Sequence, residues 1–307
     1  MIDILPKITV ITVVKNSVNT IEKAIESIIR QNYPNLEYII LDGNSTDGTL
    51  DIIKKYDKAI SFWKSKNDNG ASEAYNEAIG IASGEIIGYL NADDFYEDGV
   101  LLKVADLFKK DTNLDVISFR YRVLELKNNQ YITKSESSIA DILLDKNKDC
   151  ACLGINAKFF KKELFFKYGL PLKSLKDGQL FLSNDTELLI RLILNNVKSL
   201  VVEDIGYNYL LSDNSNSFSN SYKNNPIYME DKVLIAQRFL GPEFRRYLNP
   251  IWEKKFKKWI KKYRAKLVKQ FIKSRNFSEA KKHFIFGIKE NNHFQFLLYL
   301  VKTFIRN

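Results

Sequence analysis

A mostly parallel α/β sheet with helices on both faces, followed by a basic helical extension, is what this 307-residue sequence predicts. Up to residue 94, short β-branched runs alternate with stretches of helical periodicity in a β-α-β-α-β-α-β order, the pattern of a doubly wound sheet. Three of the strand ends carry acids: Asp42, Asp68 and the pair Asp93-Asp94. Past about Asn225 the strand pattern stops and a lysine-rich helical period takes over. The expected division is therefore 1–224 for the α/β body, with halves 1–120 and 121–224, and 225–307 for the extension.

Lys7–Val14 (KITVITVV) is continuous, apolar and β-branched, as a central strand should be. Lys15-Asn16-Ser17 breaks it, and Ile21, Ala24, Ile25, Ile28 and Ile29 recur at helical spacing up to about Gln31. Leu36–Leu41 is the second strand, followed by a turn-rich loop (Asp42 to Thr49) in which Thr46 or Asp47 is placed to cap the next helix. Leu50, Ile52, Ile53 and Tyr56 carry that helix. A third strand is expected at Ala59–Trp63, a helix at Ala71–Ala82, and a fourth strand running through Ile86–Leu90 to Asp93-Asp94. The second half reads as a helix at Val100–Phe108, a strand at Asp115–Phe119 and a hairpin over Tyr121–Ile132 turned at Asn128-Asn129. A helix at Lys158–Tyr168 stopped by Gly169 and Pro171 follows, then one beginning near Asp185 and a strand at Val201–Tyr209.

Composition removes several chemistries. Apolar residues make up 45% of the chain, enough for a real core, and no stretch is long enough to span a bilayer. Met1–Pro6 lacks the basic start and cleavage site of a signal peptide, so the cytosol is the default compartment. Cys150 and Cys152, two residues apart, are badly placed for a mutual disulfide and have no neighbouring histidines for a zinc site. With only His283 and His293, both late in the chain, carboxylates must do any acid–base work. No GxGxxG follows the first strand and no GxxxxGK[ST] occurs, which disfavours dinucleotide and P-loop sites. Adjacent carboxylates at a strand's carboxyl end instead point to a hard divalent cation shared with a diphosphate, although a polar turn gives the same two letters.

The ordered blocks carry a resemblance. Ile8–Asn16, Gln31–Glu37, Asp42–Thr49, Trp63–Gly70, Ala74-Tyr75-Asn76 and Asn91–Asp94, at matching spacing, are similar to the opening of family 2 glycosyltransferases. The likeness is strong over residues 6–100 and weaker over 150–215. It implies a GT-A fold, a nucleotide-diphosphate sugar donor, Mg²⁺ or Mn²⁺ as cofactor, a saccharide or lipid-linked saccharide acceptor, and transfer with inversion. It assigns Asp42, Asp68, Asn76 and Asp93 to the donor and Asp93 and Asp94 to the metal. The alternatives for three of these are a self-stabilised loop for Asp42, a turn for Asp68 and packing for Asn76. Asn184-Asp185, followed by Glu187 and Arg191, resembles the family block whose Asp is the catalytic base; on the residues alone, Asp185 reads as a helix cap. Gly43 stands where many members have a second acid, Asn91 where the Asp-x-Asp element often begins, and Asn184 where the base block usually has Glu. The polar loop Ser212–Ser221, a donor-site cover in relatives, holds no histidine.

Two other classes remain: a nucleotidyltransferase, which would need a Gly-rich basic loop after the first strand, and a non-catalytic scaffold at a membrane surface. The second comes from the tail. Residues 251–307 hold 16 Lys and Arg against 3 Asp and Glu, a balance of +13, while the rest of the chain balances to −3. Trp252, Phe256, Trp259, Tyr263, Leu267 and Phe271 line one helical face, which is either core or an interfacial stripe on anionic lipid, at the inner face of the plasma membrane. No recognition motif for nucleic acid accompanies the charge.

Overall fold

The structure is a computed structural model describing residues 5–68, 70–128, 130–147, 154–175, 181–211, 225–291 and 293–305. Both cysteines, Asn129 of the hairpin turn and the loop Ser212–Ser221 lie outside the described residues. The chain divides into two compact units. The first is Met1–Asp145, Cys150–Pro171 and Leu188–Phe218; the second is Lys146–Asp149, Leu172–Glu187 and Ser219–Asn307.

The first unit is built on one mixed sheet. β1 (Ile8–Val14), β2 (Leu36–Asp42), β3 (Phe62–Ser65) and β4 (Ile86–Tyr89) run parallel, with Val14 paired to Asp42, Asp42 to Ser65 and Ile11 to Tyr89. β1 is buried almost throughout and β-branched at every position, with Thr9 and Thr12 as its buried polar members. Helices α1 (Ile21–Ile29), α2 (Thr49–Lys55), α3 (Ala71–Ile81) and α4 (Val100–Lys110) alternate with these strands. α1 buries Ile21, Ala24, Ile25 and Ile28 of its expected apolar face and leaves Ile29 exposed. Each fully buried Ile or Leu side chain contributes roughly 1.5–3 kcal/mol. α2 opens on Gly48 at φ +100° with no side-chain cap. Asp47, one residue earlier, accepts the Thr49 N–H and also the Val18 N–H, tying the loop to the end of β1.

Beyond β4 the sheet turns mixed. Its order is β3-β2-β1-β4-β8-β6-β9-β5, with β7 paired on β6. β5 is Phe95–Tyr96, β6 Val116–Lys127, β7 Gln130–Glu136, β8 Lys158–Lys161 and β9 Ser199–Leu211. β6 and β9 are parallel, while β8 is antiparallel to both β4 and β6. Short helices α5 (Ile139–Ile142) and α6 (Glu163–Tyr168) complete this half, and α7 (Asn184–Leu194) begins in the second unit and ends in the first.

Three boundaries differ from the sequence reading. Lys158–Lys161 is a strand, and only Glu163–Tyr168 is helical. Phe159 and Phe160 point to opposite faces of the sheet and both are buried, so a run that reads as one side of a helix fills two sides of a strand. Gly88 permits this pairing: a Cβ there would sit 2.6 Å from the Phe159 ring. The third strand is Phe62–Ser65, because Asp57–Ala59 winds into a 3₁₀ turn. The fourth stops at Tyr89, and Asn91–Asp94 forms a turn closed by the Asp94 N–H on the Asn91 carbonyl.

In the second unit α8 (Pro226–Leu240), α9 (Pro250–Lys273), α10 (Phe277–Glu290) and α11 (His293–Ile305) pack together. Asn225, Asn249 and Asn276 cap α8, α9 and α10 by accepting the N–H of Ile227, Trp252 and Glu279. Pro226 and Pro250 occupy first helical positions, where no N–H is needed. Trp252, Phe256 and Leu267 are fully buried, and Phe239 stacks on Phe256 at 5.5 Å. The stripe of α9 is thus core at Trp252, Phe256 and Leu267, and partly buried at Trp259, Tyr263 and Phe271. Among the described residues no helix is long and apolar enough to cross a membrane.

Candidate functional site

The carboxyl ends of β1, β2 and β4 lie on one edge of the sheet in the first unit, and each chain segment leaving that edge is pinned by side chains. Asp42, 2% exposed, accepts from Ser45 N–H at 3.0 Å and Ser65 Oγ at 2.6 Å through one oxygen, and from Ser45 Oγ through the other. Asn16 accepts the Thr46 N–H and donates its own N–H to Ser45, zipping the loops after β1 and β2 together. Asp42 therefore shapes the loop as well as lying at the edge. Asp68 accepts the Gly70 N–H, and its other oxygen would be 3.2 Å from a Cβ at position 43. Lys15 would be 3.4 Å from the same Cβ. Gly43 thus has a local cause: a second acid there would crowd and repel Asp68.

Asp93 and Asp94 are neighbours with different surroundings. Asp94 is 2% exposed and accepts from Tyr207 Oη at 2.8 Å, Leu210 N–H at 2.9 Å and Asn91 Nδ2 at 3.0 Å. Burial raises its pKa well above the ordinary carboxylate value, the adjacent Asp93 raises it further, and the three donors oppose both. Tyr207 also accepts the Asn91 N–H, so one phenol fixes both ends of the turn to β9. Asn91 is bonded to Tyr75 of α3 as well, at 3.3 Å. Asp93 is only half-buried. The pair amounts to one carboxylate held inside by the sheet and one presented beside it.

Asn76 sits on α3 next to Tyr75, and its amide donates to the Pro171 carbonyl at 2.9 Å. Its Oδ1 is buried, with no hydrogen-bond partner among the described residues. Asp42 and Asp68 are brought together around Gly43, and Asp93 and Asp94 in one turn; Asn76 connects to that turn only through its neighbour Tyr75. Arg191 donates to the carbonyls of Tyr168, Gly169 and Leu170, closing the end of α6.

Asp185 belongs to the second unit, in the first turn of α7. Its Oδ1 accepts the Thr186 N–H. Burial raises its pKa, opposed first by the Lys232 ammonium. Lys232 is itself buried on α8 and donates to Thr186 Oγ1 at 2.9 Å. Beside it Asp231, 1% exposed, accepts the N–H groups of Leu182 and Ser183 at 2.7 and 3.0 Å, and burial pushes its pKa up to about 6. Asp231 and Lys232 hold the start of α7 from 49 and 46 residues away in sequence. Sequence reasoning missed them, as it missed Tyr207. The available signal was only that the run Glu230-Asp231-Lys232 interrupts the apolar residues of that helix.

Hard oxygen donors suit a divalent ion, and Asp93, half-exposed beside a buried acid that repels it, fits one. Another trio, Glu230, Glu279 and His283, has ligand atoms within 4.8 Å of one another. It does not suit a metal. Arg264 donates to His283 Nδ1 at 2.8 Å and cannot accept, so the imidazole proton resides on Nε2. Nε2 then donates to Glu230 at 3.1 Å and has no lone pair to offer.

A family model described as Glycosyl transferase family 2 matches residues 9–169. The poly(ribitol-phosphate) beta-glucosyltransferase of Bacillus spizizenii is 28% identical over 228 residues, 70% of this chain but 34% of that protein. The chain thus spans about a third of that relative's length. An Escherichia coli UDP-Glc:alpha-D-GlcNAc-diphosphoundecaprenol beta-1,3-glucosyltransferase is 28% identical over 210 residues, 68% of this chain and 78% of that one. Among solved structures, S. aureus TarS 1–349 in complex with UDP-GlcNAc superimposes with TM-score 0.59 at 16% identity, covering 90% of both chains. A Pyrobaculum calidifontis mannosyltransferase in complex with GDP-Man and Mn²⁺ gives 0.57 at 15%, covering 99% of this chain and 88% of that one. The two structural likenesses establish a shared fold, and the family match covers more than half of the sequence: the chain belongs to glycosyl transferase family 2.

Proposed function

We propose that this chain is a metal-dependent, inverting glycosyltransferase that moves a sugar from a nucleotide-diphosphate donor to an acceptor hydroxyl in the assembly of a surface polysaccharide or glycolipid. The observation that carries the reading is the division of labour at the β4 end, where Asp94 is locked inside by Tyr207, Leu210 and Asn91 and Asp93 is left beside it. Asp93, with Asp94 behind it, would hold Mg²⁺ or Mn²⁺, which when bound would neutralise charge on the leaving diphosphate. Asp42, Asp68 and Asn76 shape the nucleotide pocket. Asp185 takes the proton of the acceptor hydroxyl as that oxygen bonds to the anomeric carbon and the bond from carbon to diphosphate breaks. A base is most effective when its pKa is drawn towards the working pH, and burial draws that of Asp185 upward. The acceptor class follows the relatives, whose names specify a poly(ribitol-phosphate) and a diphosphoundecaprenol-linked sugar.

The test is a screen of nucleotide sugars with Mn²⁺, reading released nucleoside diphosphate. Asp185→Asn should keep donor affinity and lose roughly 10²–10⁴ in kcat. Release of pyrophosphate in place of nucleoside diphosphate, or near-normal turnover in the variant, sinks the reading.

A further inference from the structure

Within residues 251–307 the 16 cations far outnumber the acids. All three acids of residues 251–307 already have cationic partners: Glu253 with Lys257, Glu279 with Lys282 and Glu290 with Arg264. Lys258, Lys262 and Lys266 follow one another at four-residue steps along α9, so they share a face. Burial and then the ammoniums of Lys266 and Lys258 push the pKa of Lys262 down. α11 runs parallel to α9 and is bordered by its lysines. Lys261 donates to Gln295 at 3.3 Å and Lys269 to the Thr303 carbonyl at 2.6 Å.

α11 is itself apolar on two sides. Phe296 is fully buried and anchors the helix, with its ring 6.3 Å from that of Phe284. On the opposite face Phe294, Leu297, Leu298, Val301 and Phe304 are between 40% and 73% exposed. Their spacing makes one continuous strip, with Lys302 at its margin. A water-facing surface with five large apolar residues in a strip is uncommon on a soluble unit.

We propose that the exposed strip of α11 and the lysines of α9 beside it form one surface that docks onto an anionic lipid bilayer, with the apolar side chains entering the acyl boundary and the ammoniums meeting headgroup phosphates. The complementarity is twofold, apolar strip to acyl chains and the row Lys258, Lys262 and Lys266 to anionic headgroups, whereas a second copy of the same face would set like charges against each other. The assignment rests on α9 and α11 alone and is independent of the proposed transfer reaction.

Flotation of the full chain, without any sugar nucleotide, tests it. Binding to phosphatidylcholine vesicles containing phosphatidylglycerol should exceed binding to pure phosphatidylcholine by about tenfold and fall as NaCl is raised. Leu297→Glu with Val301→Glu should reduce it to the neutral-vesicle level with an unchanged melting temperature, because both side chains are exposed. Leu298→Gln provides a milder second variant, and Lys258→Glu with Lys266→Glu should remove the salt-dependent part. Equal binding to both vesicle types overturns the proposal, as does undiminished binding in the α11 variants. A dimer by light scattering that those variants dissociate also overturns it.

Discussion

Asp93 and Asp94 share a letter and a turn but not an environment, and variants should separate them. Removing Asp94 leaves the Tyr207 hydroxyl, the Leu210 N–H and the Asn91 amide without an acceptor in a buried place, where each orphaned group costs about 1–3 kcal/mol. Asp94→Ala should therefore lower the urea midpoint of the ligand-free protein. Asp93→Ala should leave that midpoint nearly unchanged and abolish Mn²⁺-dependent donor binding in calorimetry. The reverse pattern would show that the inward acid is the functional one. Gly43 makes a related point. Gly43→Asp restores the acid pair common in the family but places its Cβ 3.2 Å from Asp68 Oδ2. Weaker donor affinity is expected, and Asp68→Asn in the same chain should recover part of it; a tighter donor complex in the single variant would contradict the crowding.

At the level of elements, the parallel strands and their helices were legible because each carries a local pattern: β1 is β-branched throughout and α1 buries all of its expected face but Ile29. Lys158–Lys161 was not, since Lys-Phe-Phe-Lys fits a helix side or a doubly buried strand equally well, and only pairing with β4 and β6 decides. The candidate site divides the same way. Its acids stand in recognisable blocks, but Tyr207 reaches Asp94 across 113 positions, a contact no local pattern encodes. The same limit hid the hold of α8 on α7. With Asp231 at about 6 in the folded chain against an ordinary 3.8, the native state keeps its proton when the unfolded chain has lost it. This contribution is fully present below pH 3.8 and is lost as pH rises through 6. Asp231→Asn still offers a carbonyl to Leu182 and Ser183 but cannot ionise. Relative to that variant, wild-type stability should fall by about 2 kcal/mol between pH 4 and pH 7 in denaturant titrations. A constant difference across that range would mean that Asp231 is not desolvated as described. Lys232→Met should move the acid limb of the kcat/KM profile upward, because Lys232 is the main influence lowering the Asp185 pKa.

Across the whole molecule, charge offers a diphosphate anion two destinations. The first 250 residues balance to −3 and the last 57 to +13, so simple attraction would draw a nucleotide sugar to the C-terminal helices. The acidic edge of the sheet can compete only when a cation stands between its carboxylates and the phosphates. The two modes differ in what they require. Binding to lysines needs no metal and weakens steeply with salt, whereas binding at Asp93 needs the metal and tolerates salt. A ligand that binds only the folded chain stabilises it by about 2.7 kcal/mol at a hundredfold excess over Kd. Melting the full chain with a nucleotide sugar should therefore give an upward shift in the presence of Mn²⁺, surviving added NaCl and vanishing with chelator or in Asp93→Ala. Hydrogen exchange should place the accompanying protection in the loops after β2, β3 and β4. A shift that persists without metal, disappears in salt and protects α9 and α11 would move donor binding to the basic helices and remove the role given to the sheet edge.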